Sequence, residues 1–272
     1  MQHAIYADIK ARDLRFPRGG NGLAKDWNGG DAFRTAFFNS MSILFPIGEK
    51  TFIDSVMAHQ AAIVDPRLRA DVKGFIAQES VHRREHQRFN QDLCAARGYD
   101  LEYLEKRIKE SIDADQDLDP ILLLASTVAY EHFTATLAHC LLTEESWLAG
   151  ADTEVANMWR WHAIEEIEHK SVAFEVYLAA GGTRSMLRTV IVYMSWEFLV
   201  RYMARNVRYM LAHDRPPAWS TLKSGLKFML GKRGFFRSCW KQYWRFFRSD
   251  FHPNNIDERQ LTEWALTHFG IG

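Results

Sequence analysis

Cysteine is scarce in this sequence. Its three thiols, Cys94, Cys140 and Cys239, stand far apart with no CxxC pair, which argues against a disulfide framework or a thiolate zinc site and fits a reducing compartment. Long apolar runs are missing as well. The longest, such as Val190–Trp196, falls well short of the ~20 residues that span a bilayer. The N-terminal stretch MQHAIYADIKARDLRF carries charges where a signal peptide needs an apolar run, so a cytoplasmic protein is expected. The alternating pattern of half-buried strands is nearly absent. There is no net charge either: 34 Lys and Arg balance 34 Asp and Glu, without the overall basic surplus of a nucleic-acid-binding protein.

What is present is a chain of 272 residues, 47% apolar, with room for a sizeable core. Residues 1–30 read as an irregular lead-in punctuated by Gly19–Gly20, Gly22 and Gly29–Gly30. Asp31 can cap a helix that runs to about Val64, before Asp65-Pro66, and a second follows from Arg67 to Arg97, ended by Gly98. After a short amphipathic piece at Leu101–Ile112, Asp119-Pro120 opens a third long helix, expected to reach Leu148. Asp152 or Thr153 opens a fourth, expected to continue to Gly181-Gly182. Four helices near 30 residues would each be about 45 Å long. The expectation is an all-α, ferritin-like four-helix bundle over residues 31–182. A helical C-terminal extension, residues 183–272, would pack on it, with pieces at 183–212, 218–231, 233–249 and 257–269.

The second and fourth helices each carry Glu-x-x-His: Glu79/His82 and Glu166/His169. Residues i and i+3 differ by about 60° around a helix and about 4.5 Å along it, so both side chains can reach one metal ion. The first helix offers Glu49 and the third Glu131, each after mostly apolar sequence. One glutamate or one Glu-x-x-His per helix, in alternation, is the ligand plan of carboxylate-bridged dimetal bundles. Four glutamates carry the charge that balances two divalent cations, and imidazoles suit iron, manganese or zinc. A single Glu-x-x-His is common on solvated helix faces; two on alternate helices with a lone glutamate on the others are not.

Neighbouring residues leave choices open. His162 shares a face with Glu166 and His169, and His86 stands in the same relation to Glu79 and His82. By spacing, each is either a ligand or an outer donor that orients one. Glu165 competes with Glu166, which is preferred because it restores the symmetry of the two motifs. Glu85, Glu168 and His132 fall off these stripes, and Asp54 is a candidate outer residue five positions after Glu49.

The stretch Phe38-Asn39-Ser40-Met41-Ser42-Ile43-Leu44-Phe45-Pro46-Ile47-Gly48-Glu49, with Gln78-Glu79, Glu85-His86, Phe89-Asn90 and Trp161-His162 through His169-Lys170-Ser171, resembles a bacterial family described as predicted metal-dependent hydrolase. The resemblance covers roughly residues 25–250. The ligand plan also resembles the di-iron p-aminobenzoate N-oxygenases, which add a histidine four residues before the last glutamate. Carried over, that plan implies seven ligands: Glu49, Glu79, His82, Glu131, His162, Glu166 and His169. It does not include His86. Outside these positions the similarity to that group is slight, so its arylamine substrate is not carried over.

Three functions fit. An O2-using di-iron oxygenase or oxidase acting on an apolar small molecule comes first, because ligands placed mid-helix favour oxygen chemistry over the loop-borne sites of many dimetal hydrolases. A metal-dependent hydrolase comes second, and a non-catalytic metal-binding or storage protein third. The charge pattern adds a further clue. Between Arg184 and Phe251 there are 14 Lys/Arg against three acids, a net of +11, so the remainder of the chain carries −11. In 235–251, Phe236, Trp240, Tyr243, Trp244, Phe247 and Phe251 recur at helical spacing, with Arg237, Lys241, Arg245 and Arg248 on another face. Such a helix packs its aromatic side on the bundle, or lies on the anionic inner surface of a membrane, or meets the acidic body of a partner in a homodimer.

Overall fold

The computed structural model describes residues 9–16 and 22–271. Residues 1–8 and 17–21 of the expected lead-in, Gly19–Gly20 among them, lie outside the described residues. Among those described there is no strand, only an isolated β-bridge between Asn28 and Ala151, and the protein is an all-α helical bundle.

The bundle comprises α1 (Ala32–Ala58), α2 (Pro66–Arg97), α4 (Pro120–Thr143) and α5 (Thr153–His169), with α3 (Leu101–Ala114) in the connection between α2 and α4. Local chemistry sets the boundaries. The side chains of Asp31, Asp65, Asp100, Asp119 and Asp152 each accept a hydrogen bond from a first-turn backbone N–H, satisfying donors that a helix start leaves orphaned. Gly98, at φ 71°, ends α2 in the left-handed conformation that glycine adopts without strain. Helices α1 and α2 pack together, as do α4 and α5, and the ring closes through α1 against α4 and α2 against α5.

Two segments expected to be continuous are not. The fourth helix pauses at Lys170–Ser171 before resuming as α6 (Val172–Ala179). There the buried Lys170 amine donates to the Ile256 carbonyl at 2.7 Å and to Glu258 at 2.5 Å, and Asn254 donates to Ser171 Oγ at 3.1 Å. The C-terminal segment is thus fastened to the break through the Lys170 and Ser171 side chains. The expected helix over 183–212 is α7 (Arg184–Trp196) and α8 (Ala204–Asp214), joined by a π-helical turn at Glu197–Met203. Three further helices follow: α9 (Ala218–Leu230), α10 (Phe235–Arg245) and α11 (Arg259–Phe269). Helix α7 packs on α4, α8 on α1, and α10 on both α4 and α9.

The core is divided in two. One apolar cluster gathers Phe38, Leu44, Phe89, Leu137, Trp161 and Ile164; the other gathers Phe52, Phe75, Val128, Val172 and Tyr177. Helices α1, α2 and α4 each run from one cluster to the other, as α5 does together with its continuation α6, and near the division they carry buried acids and histidines: Glu49, Glu79 and His82, Glu131, Glu166 and His169. A polar layer therefore crosses the molecule between two apolar ones. Helix α4 corrects one expectation. By length and composition it could cross a membrane, yet it is a core helix with the buried Glu131 and His132 at its middle.

Candidate metal centre

Within the polar layer, ligand atoms of Glu49, His82, His162 and Glu166 lie within 4.8 Å of one another, and so do those of Glu79, Glu166 and His169. Glu166 belongs to both groups and divides its oxygens between them. Its Oε1 is 2.9 Å from His162 Nε2 and 3.6 Å from His82 Nδ1, while Oε2 is 3.7 Å from His169 Nε2. Glu131 joins the second group, with Oε2 3.5 Å from His169 Nε2, and Glu79 Oε1 is 3.2 Å from the same nitrogen. All seven residues named from the ligand plan come together. One detail differs from the spacing argument: Glu79 sits with the second group and His82 with the first, so this motif spans both groups instead of serving one ion.

Whether such a cluster suits cations can be judged from its unsatisfied atoms. Native proteins leave few buried polar groups unpaired. Among the described residues, nine of the fourteen buried side-chain nitrogen and oxygen atoms without a hydrogen-bond partner belong to Glu49, Glu79, His82, Glu131, Glu166 and His169. Their titration points the same way. Burial, together with Glu79 and Glu166, raises Glu49 well above the usual carboxylate range. Burial also raises Glu131 well above that range and pushes Glu79 up to about 7. Burial lowers the His169 imidazole, but the Glu166 and Glu131 charges overcome it and the net shift is well upward. Without cations the layer holds protons in their place.

The outer side of each histidine is equally informative. Gln78 donates from Nε2 to Glu168 at 2.9 Å and to the Lys10 carbonyl at 3.3 Å, so its Oε1 is left to accept from His169 Nδ1 at 2.9 Å. Glu165 accepts from His82 Nε2 at 3.0 Å. The third path is longer. Pro46, inside α1, has no N–H for the Ser42 carbonyl four residues back. Asn90 Nδ2 donates to that carbonyl instead, at 2.8 Å, and this turns Asn90 Oδ1 towards the Ser42 hydroxyl, which donates to it at 2.6 Å. Ser42 Oγ is then free to accept from His86 Nδ1 at 2.8 Å, and His86 Nε2 accepts from His162 Nδ1 at 2.8 Å. In all three cases the outward nitrogen is hydrogen-bonded by the protein, which turns the inward one, Nδ1 of His82 and Nε2 of His162 and His169, towards the carboxylates; there it shares a proton, as His162 Nε2 does with Glu166 at 2.9 Å, or would offer a lone pair to a cation. Burial holds His82 and His86 well below the usual imidazole range, so both stay neutral.

The choices left open by spacing thus have geometric answers. Glu166 points into the cluster and Glu165 out of it. His162 lies in the cluster, and His86 lies behind it. Asp54 is elsewhere: five residues turn a helix by about 140° relative to Glu49, and Asp54 is exposed and paired with Lys50. Glu85 is buried but bonds Arg84 and Arg88. His132 is buried with Nε2 3.4 Å from the Tyr243 carbonyl, and burial lowers it to about 4.

One contributor had no signal in helical spacing. Residues 9–16 run across α2 and α5 as an irregular strap. Arg12 donates from its backbone N–H to Glu165 at 2.8 Å and from its guanidinium to Glu165 and Glu168. One cation thus neutralises the acids that orient His82 and Gln78. The strap passes so close to α2 at Gly74 that a Cβ there would collide with the Ile9 carbonyl. Ser42, Gln78 and Asn90 lie within the quoted stretches of resemblance, but nothing local to them announces the partners they meet.

The family described as predicted metal-dependent hydrolase matches residues 10–257, and the chain belongs to it. No curated protein and no solved structure matches the chain.

Proposed function

We propose that this family member is a di-iron oxygenase or oxidase acting on an apolar small molecule. The observation that carries this reading is where the cluster opens. Glu49 and Glu166 line the inner end of a cavity of about 370 Å³ between α1, α3, α4 and α7, whose walls include Phe45, Phe52, Ile112, Leu123, Met194 and Phe198. An apolar molecule fits such a volume. A second apolar pocket of about 30 Å³, lined by Phe38, Met41 and Leu137, reaches His162 and Glu166 from another side and suits a gas better than water, which needs polar partners.

Two bound ions would supply electrons to dioxygen if they are iron, or polarise a hydrolysable group if they are zinc or manganese. The chain's own part is to hold the ions and exclude water. Glu166 would offer one oxygen to each group, Glu49 and Glu131 would serve opposite groups, and the three histidines, fixed from outside, would present Nδ1 of His82 and Nε2 of His162 and His169 to the ions. Phe45, which lines the cavity, lies beside His162 with ring centroids 4.7 Å apart and planes tilted by 31°. Glu197, on the π turn, adds a polar point to the cavity wall, held by Ser111 at 2.8 Å and Arg201 at 2.7 Å.

Hydrolysis is the second reading, and the family's description favours it. The test is metal analysis of protein purified without chelators, followed by anaerobic reduction and exposure to O2. The oxygenase reading expects iron and a visible absorption change that depends on O2. Zinc or manganese as the native metal, with cleavage of esters or phosphoesters and no response to O2, would replace it with the hydrolase.

A further inference from the structure

Helices α9 and α10 form a hairpin that inverts the usual order of burial. On α9, Trp219, Leu222, Leu226 and Leu230 are exposed, and on α10 so are Phe236, Trp240 and Trp244; Trp219 is 77% and Trp240 63% accessible. The hairpin is nevertheless well anchored. Phe228 and Phe235 on its inner side meet Phe37 at centroid distances of 5.1 and 5.3 Å, and Trp147 at 5.5 and 6.1 Å. The outward side chains are therefore surplus to packing. Helix α7 adjoins the hairpin, with the Tyr243 hydroxyl of α10 3.0 Å from Ser195 Oγ of α7, and its Val192, Tyr193 and Trp196 are exposed as well.

Charge completes the pattern. Each of five outward apolar residues is followed directly by a cation: Leu222-Lys223, Leu226-Lys227, Phe236-Arg237, Trp240-Lys241 and Trp244-Arg245. From Arg215 to Ser249 there are nine Lys or Arg and no acid. A protein-docking patch has an apolar centre with a polar rim. Here cations alternate with aromatic and leucine side chains along both helices, and all have one sign. That arrangement matches a lipid–water interface, where Trp rings sit at headgroup level and Lys and Arg meet phosphates.

We propose that the outer face of α9–α10, continued by α7, is a docking surface for an anionic phospholipid bilayer. The same α7 presents Met194 to the cavity on its inner side, so a molecule leaving the bilayer would meet the helix that walls the cavity. The docking surface does not depend on the reaction proposed above.

Flotation of the full-length, metal-loaded protein with vesicles tests it. Vesicles of phosphatidylcholine mixed with phosphatidylglycerol should carry the protein, vesicles of phosphatidylcholine alone should not, and binding should weaken as salt rises. Brominated phosphatidylcholine in the mixed vesicles should quench tryptophan emission, less so in Trp240→Ser/Trp244→Ser. Changing Lys223, Lys227, Arg237 and Lys241 to Glu should reduce partitioning by about fivefold or more per residue, with helicity and metal content unchanged. Failure to float with the anionic vesicles overturns the proposal. Flotation that survives the charge reversals overturns it too. So would a stable dimer by analytical ultracentrifugation that dissociates in the tryptophan variant, since the face would then belong to a second copy, or a duplex oligonucleotide binding more tightly than the anionic vesicles.

Discussion

The polar layer of the bundle and the α9–α10 hairpin break the same rule in opposite directions. The layer places acids and histidines where apolar side chains usually lie, and the hairpin places tryptophans and leucines where polar ones usually lie. In the layer the histidines' outward nitrogens are hydrogen-bonded, while most of the inward-facing atoms are left unpaired and pointing at one another. In the hairpin the inner face is fully packed and the outer face is left bare. Each region is complete on one side only, and the incomplete side faces what the protein would bind: cations in one case, lipid in the other. Local departures from the burial pattern are expected where function outweighs stability.

This contrast can be broken first at Glu166, where the effect should be largest. Glu166→Ala should remove most bound metal, because both groups share that carboxylate. Glu79→Ala should also lose most of its metal, while Glu168→Ala, which reaches the cluster only through Gln78 and Arg12, should keep most of it at saturating metal; metal-to-protein ratios by mass spectrometry would decide. Equal occupancy in all three variants would mean that the layer is not the binding site. The inner anchor of the hairpin comes next. Phe235→Ala should cost about 3–5 kcal/mol in chemical denaturation, as for other buried aromatic truncations. A much smaller loss would mean that the hairpin is loosely held and its exposed face less meaningful.

The outer partners of the histidines should show intermediate effects. His86→Ala should lower metal affinity by about 10–100-fold while preserving the coordination spectrum, whereas His162→Ala should alter the spectrum itself. If His86→Ala changes the spectrum and His162→Ala does not, the two roles are reversed. Arg12→Ala should lower affinity by about tenfold, because Glu165 and Glu168 lose their shared cation. Gly74→Ala, which displaces the strap at Ile9, should act in the same direction, and an unchanged affinity in both would reduce the strap to packing. The smallest effect belongs to the hairpin's outer face. Trp240→Ser and Trp244→Ser should each shift stability of the free protein by no more than about 0.5 kcal/mol, because exposed side chains contribute little to folding.

The all-α bundle and the clustering of the inner acids and histidines were largely legible in the sequence. Helix starts announced themselves through Asp caps and Asp-Pro pairs, and the repeated Glu-x-x-His placed acids and imidazoles on one face by helical geometry alone. What spacing could not show was how the helices meet. That Glu79 would sit beside His169 and not with His82 depends on the packing of α2 against α5. The path from Pro46 through Ser42, Asn90 and His86 to His162 crosses three helices, and Arg12 lies 153 residues from Glu165 in a segment without periodicity. In 235–251 the aromatic stripe was visible, but not that the helix stops at Arg245, nor that Tyr243, Phe247 and Phe251 pack inward while Phe236, Trp240 and Trp244 stay exposed. A helix rich in apolar residues on several faces does not declare which face its neighbours will cover.

The central claim is that the polar layer holds two ions bridged by Glu166, and diffraction at the absorption edge of the native metal tests it most directly. Two anomalous peaks are predicted, one among Glu49, His82 and His162 and one among Glu79, Glu131 and His169, with Glu166 between them. A single peak, or peaks away from this layer, would contradict the account.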